Sequence, residues 1–172
     1  GNYVVLTSTW NNSRGAVTWG NGTTGTSGTV SSSNSFVGST ANDQVGKGGI
    51  TVLSNNNYVV YSPNWSNAGA VSAGAVTFGS GVAATTGEVS NTNSLVGTTT
   101  GDSVSSGGVK ALTANGNYVV LSPLWSSSKG AATWGNGSVT GGVKGEISSS
   151  NSLVGSTAGD SVGSGGVTAF TG

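Results

Sequence analysis

Three carboxylates recur at one place in a repeating sequence, Asp43, Asp102 and Asp160, and two more recur at another, Glu88 and Glu146. Two carboxylates at a defined separation are the minimum equipment for glycoside hydrolysis, one as acid and the other as nucleophile or base. Asp102 has Glu88 in its own repeat, but the first repeat carries Thr29 where that glutamate stands, so Asp43 has no such partner. Each Asp follows small residues and precedes a glycine-rich turn, where a carboxylate accepts local backbone N–H bonds. Turn capping is therefore the expected role. Hydroxyl groups are abundant, yet the chain has no histidine and no cysteine. That removes the common general base, the thiol nucleophile, thiolate and imidazole metal sites, and disulfides. The expectation is a protein that is not an enzyme and carries no cofactor.

Aromatic residues form two more series. Trp10, Trp65 and Trp125 occupy one position, and Trp19, Phe78 and Trp134 another. Flanked by Asn and Ser, the first series has the chemistry to stack on sugar rings, which makes glycans a candidate partner. In a chain this rich in small side chains, both series are expected chiefly to fill the gaps between twisted sheets.

The elements that position these residues come in triplicate. Gly1 to Trp10 (GNYVVLTSTW) returns at Asn56 to Trp65 (NNYVVYSPNW) and at Gly116 to Trp125 (GNYVVLSPLW). GAVTWGNG, GAVTFGSG and GAATWGNG follow, then GTVSSSNSFVGST, GEVSNTNSLVGTT and GEISSSNSLVGST. A Gly-Gly segment ending in ITVLS, VKALT or VTAFT closes each unit. The repeats are read as residues 1–55, 56–115 and 116–172. Tyr3 to Tyr58 spans 55 residues and Tyr58 to Tyr118 spans 60, the excess lying in the connection between Trp65 and Phe78.

Each repeat predicts four strands, and no stretch has helical periodicity, so the class is all-β. Asn-rich dipeptides after ITVLS and VKALT suit tight hairpins. The continuous apolar run YVVYS or YVVLS suits a strand buried on both faces, and Pro63 and Pro123 end it. AVTW, AVTF or AATW is the third strand. Thr29 to Val37 and its equivalents are expected as a fourth, polar, partly wet outer strand. The sequence starts within one unit and stops after the first strand of the next, so the segment 166–171 is expected to pair with a strand of the 3–7 type. Its partner is sought in the same chain, closing a ring, or in another chain, by strand addition.

Composition narrows the classes further. With 5 basic and 5 acidic residues the net charge is zero, and charged residues make up 6% of the chain, against roughly 25% in ordinary soluble proteins. No basic surface is available for nucleic acid. No apolar run approaches the roughly 18 residues of a membrane span, so no membrane insertion is expected. No signal peptide is visible, and the absence of Met with Gly1 first suggests a processed product or an excised piece.

The segment Gly101 to Gly137 is similar in its order of features to an FG-GAP repeat, the blade of integrin-type β-propellers. Val45-Gly46 and Val162-Gly163 stand where Phe-Gly would, and Ser62-Pro63 and Ser122-Pro123 where Ala-Pro would. The resemblance implies propeller-like blades. The calcium hairpin of that family maps onto Asn55, Asn56 and Asn57, or Asn115, Gly116 and Asn117, with no acid among them. Calcium takes roughly six to eight hard oxygen ligands, so no calcium requirement is expected. The NGNYVV, SP-W and GAVTWGNG wording also resembles tandem units of large secreted bacterial surface proteins, some of them haemagglutinin-like adhesins. That likeness implies an extracellular, cell-surface location more than an activity. The repeat pattern and its terminal strand are read as a structural or adhesive module, a filament built by self-assembly of stacked blades. A threefold β-trefoil or β-prism lectin is the alternative architecture.

Overall fold

The computed structural model describes residues 1–113, 115–138 and 141–170. Its strands, in chain order, are β1 (Tyr3–Thr7), β2 (Ala16–Gly20), β3 (Ser35–Val37), β4 (Gly49–Val52), β5 (Tyr58–Ser62), β6 (Ala75–Gly79), β7 (Gly87–Glu88) and β8 (Ser94–Val96). They continue as β9 (Val109–Ala111), β10 (Tyr118–Ser122), β11 (Ala131–Gly135), β12 (Gly145–Glu146) and β13 (Leu153–Val154). The fold is all-β, with three repeats and three open sheets ordered β1-β2-β3-β7, β4-β5-β6-β8-β12 and β9-β10-β11-β13. No helix among the described residues is long and apolar enough to cross a membrane.

Within the middle sheet β4, β5, β6 and β8 form an antiparallel meander. Val52 faces Tyr58 across the first hairpin, and Leu53 N donates to Asn57 O at 2.8 Å. Asn56 takes the left-handed φ of 66° that a three-residue hairpin loop needs, which Asn tolerates better than most residues. β5 stops at Ser62 and β10 at Ser122, each directly before a proline.

Period-two alternation then decides how the sheets stack. Tyr58, Val60 and Val96 point from the middle sheet into a core shared with Val17 and Phe36 of the first sheet. Val59, Val76, Phe78 and Leu95 point the other way, into a core with Tyr118, Val120 and Ala131 of the third. YVVYS thus lies buried between two neighbours, which is why the run is apolar without a break. Each sheet carries one like hydroxyl pair, Thr18–Ser35, Thr77–Ser94 and Thr133–Ser152, each 2.7 Å apart, which satisfies the polar side chains between strands.

The fourth segment differs from its expected form. Thr29 to Val37 is not one strand: Ser31 to Asn34 form a tight turn, and only Ser35–Val37 join the sheet, where they are buried rather than wet. The turn is held by Asn34, whose Oδ1 accepts from Ser31 N and whose Nδ2 donates to Thr29 O. In the later repeats the residues before this turn cross over. β7 pairs parallel with β3, and β12 parallel with β8, each adding an edge to the preceding repeat's sheet. Val89 N and Ile147 N extend these ladders, donating to Val37 O and Val96 O. A stretch too polar for a core strand serves as a stitch between repeats.

The two end sheets are open on their outer faces. Tyr3 is 44% exposed where its equivalent Tyr58 is 3% exposed, and Leu153 is 70% exposed where Leu95 is fully buried. Residues 166–170 form no strand, and among the described residues the expected partner β1 pairs with β2 and no other strand. The single-chain ring is therefore not closed here. Thr171, the last residue of the expected segment, lies outside the described residues.

Candidate functional site

The repeated chemistry converges on the two junctions between sheets. Asp43 is fully buried: Oδ2 accepts from Thr40 N at 2.8 Å within its own turn, and Oδ1 accepts from Ser66 N at 3.0 Å in the next repeat. Asp102 does the same, with Oδ2 taking Thr98 N and Thr99 N and Oδ1 taking Ser126 N at 2.9 Å. Each carboxylate caps one turn and fastens another across the junction. Burial pushes the Asp43 carboxyl above its ordinary pKa, and the N–H donors of Thr40 and Ser66 pull it back. Asp160 keeps its local bonds to Ser156 N and Thr157 N, but its Oδ1 has no protein donor among the described residues.

Other bonds repeat in the same way. Asn2 Nδ2 donates to Gly81 O and Asn57 Nδ2 to Gly137 O, each reaching from one repeat to the next. Gly46 N donates to the Ser62 hydroxyl and Ser105 N to the Ser122 hydroxyl, both at 3.1 Å. Sequence reading placed Ser62 and Ser122 at strand ends and Asn57 in a hairpin turn, without a partner in another repeat. The signal that they also bridge repeats is that turn and acceptor recur together, which no single segment displays.

The turn that Asp102 fastens, and its counterpart in the first repeat, have unusual backbones. Asn11, Asn12 and Ser13 take φ of 48°, 57° and 59°, and Ser126, Ser127 and Ser128 take 52°, 58° and 61°. A left-handed conformation costs a non-glycine residue roughly 1–2 kcal/mol, so three in succession need external support. That support is a backbone clamp: Gln44 N bonds Ser13 O and Val45 N bonds Arg14 O, with Ser161 and Val162 doing the same at Ser128 and Lys129. The clamp presses the Asp-bearing loop against the glycine after the turn. At Gly74, with φ of 79°, an added Cβ would sit 2.2 Å from Val104 N.

Four of the six aromatic residues, Trp19, Trp65, Phe78 and Trp125, pack at the two junctions. Trp65 is buried in the first junction's core and Trp125 packs half-buried against the second, while Trp10 is half-buried. Each lends its carbonyl to a glycine N–H, from Gly15, Gly74 and Gly130 respectively. Trp19 and Phe78 close the two junctions, Trp19 Nε1 donating to Gly81 O, whereas Trp134 lies on the open outer face at 53% exposure. The three aromatic residues of either series stay one per repeat and do not converge on one site.

Two strings match nucleophile motifs, Ser126-Ser127-Ser128-Lys129 and Gly159-Asp160-Ser161-Val162-Gly163. Neither has the strand-to-helix setting those motifs require: the first is the left-handed turn, and the second is the clamp loop bonded to it. Among the described residues no three carboxylates gather into a group able to hold a metal ion. Glu88 and Glu146 sit exposed on the crossing strands, with their backbone carbonyls accepting from Asn93 and Asn151.

Three sheets joined by two like junctions define a tandem-repeat protein of the all-β class. The chain belongs to the family described as a repeat of unknown function (DUF5650), whose model matches residues 1–47, 52–106 and 112–164. No curated protein matches the chain.

Proposed function

We propose that this chain is a non-catalytic structural module, a run of blade-like repeats from an extracellular bacterial surface protein, whose task is extension. Each repeat covers the open face of its neighbour, so length is gained without a new core. The observation that carries the reading is the pair of junctions built from one set of bonds, with unfilled halves of that set on both end sheets. A neutral surface dense in hydroxyl and amide groups supports a role of spacing and contact outside the cell, as does the likeness to adhesin-associated repeats. Buried carboxylates engaged by backbone donors are unavailable for acid–base work, which supports the absence of catalysis.

Equilibrium unfolding in urea tests it. Tryptophan fluorescence and far-ultraviolet circular dichroism are expected to report one coincident transition, because nearest-neighbour coupling ties the repeats together. A chelator is expected to leave that transition unmoved. Repeats that melt separately in the unaltered chain, or a chelator-induced fall of several degrees in Tm, refute the reading. Antibody labelling of intact source cells tests the location.

A further inference from the structure

A cavity of about 440 Å3 opens between the first and middle sheets, lined by Val4, Trp19, Ile50, Val52, Tyr58 and Gly81 among others. The Tyr58 hydroxyl is buried there without a hydrogen-bond partner among the described residues. Beside it, β1 is bonded on one edge only, leaving a row of N–H and C=O groups open. One junction further on, the corresponding space is filled. There β4 pairs with β5 and lies against β9, and Leu53 is buried with its side chain against Gly137, the counterpart of Gly81.

We propose that the segment Gly166–Phe170 of a second copy of this chain occupies this cavity, pairing antiparallel with β1 and joining copies head to tail. The proposal rests on the structural-module reading and names the partner of its open ends. The segment GVTAF is the third occurrence of the leading strand, after GITVL at 49–53 and GVKAL at 108–112. Carrying over the pairing of β4 with β5 sets Val167 opposite Val5, Thr168 opposite Val4 and Ala169 opposite Tyr3. Phe170, 91% exposed in the single chain, then takes the place of Leu53, in front of Gly81.

The rest of the junction follows from the same superposition. Trp134 and Leu153 of one copy come against the face of Tyr3 and Val5 in the next, all four exposed in the single chain. Asp160 Oδ1 gains the N–H of Asn11, as Asp43 gains Ser66 and Asp102 gains Ser126. Gly163 N gains the Thr7 hydroxyl in the way Gly46 N holds Ser62. Because the two surfaces differ, the contact is heterologous and builds an open fibre or a closed ring of copies.

The chain has no cysteine, so introduced thiols report the register directly. Val4→Cys and Thr168→Cys variants, mixed under mild oxidation, are expected to give a crosslinked heterodimer, whereas Val4→Cys mixed with Ser150→Cys gives none. Sedimentation velocity of the unaltered chain is expected to show mass rising with concentration, up to about 100 μM, well above a micromolar Kd. Phe170→Asp is expected to weaken association at least about tenfold, with the monomer's unfolding transition unchanged, since Phe170 joins no ladder or core. A monomer at every concentration, association that survives Phe170→Asp, or crosslinking that ignores register overturns the proposal. A chain that stays monomeric yet unfolds in one transition refutes only the head-to-tail joining and leaves the module reading standing.

Discussion

Replacing Asp102 by Ala separates the two jobs of the junction carboxylate. Asp102 accepts three backbone N–H bonds, two from the exposed Thr98 and Thr99 in its own turn and one from Ser126 across the second junction. The two exposed donors can turn to water, so their loss resembles that of a helix or turn cap, about 1 kcal/mol. The bond to Ser126 joins an ionised acceptor to a partly buried donor, worth about 1.5–3 kcal/mol. Asp160→Ala supplies the reference: it removes two like bonds, to Ser156 N and Thr157 N, and no cross-repeat bond within the chain. Asp102→Ala is thus expected to destabilise by about 2.5–4 kcal/mol and Asp160→Ala by about 1 kcal/mol. Urea unfolding read by tryptophan fluorescence, at a concentration where the chain is monomeric, measures both. Asp102→Ala is also expected to broaden the transition, because the third repeat then melts partly by itself. Equal losses for the two variants would refute the bridging role and leave each aspartate a local turn cap.

Two further expectations concern pH and backbone. Burial pushes the Tyr58 and Tyr61 hydroxyls up to about 12 from an ordinary value of 10.0; the native chain therefore keeps protons that the unfolded chain releases, so stability holds below pH 10 and falls as pH rises from 10 towards 12. A fluorescence titration showing constant urea midpoints across that window contradicts the burial. Gly74→Ala forces a Cβ against Val104 N at positive φ, and is expected to cost more than about 2 kcal/mol; Gly69→Ala, also at positive φ but with open space around it, is expected to cost about 1 kcal/mol. Thermal melts that rank the two variants in the opposite order would contradict the clamp.

Much of the architecture can be read from the chain because its signals are local. The run YVVYS announces burial on both faces by lacking any polar alternation, and Pro63 marks its end. Asn55 to Asn57 announce a hairpin through turn chemistry alone. The crossing of Gly87–Glu88 to β3 is not legible, since two residues carry no periodicity and the choice of partner is made by Val37 and Phe36, far away in sequence. The left-handed turns at Asn11–Ser13 and Ser126–Ser128 are hidden for the same reason: serine there is held by carbonyl acceptors some 30 residues apart from their donors, as Ser128 is from Ser161. The double role of the aspartates was half visible. A carboxylate before a glycine-rich turn signals capping, but its second oxygen finds the following repeat only once the sheets are stacked.

The parallel stitch of β7 on β3 and of β12 on β8 has an evolutionary consequence. Every interface needed to admit one more unit is already encoded inside the unit itself, so duplication or loss of a segment of this length alters reach while leaving each remaining fold intact. Under the proposed extension role, selection tunes length by counting, with no residue having to change.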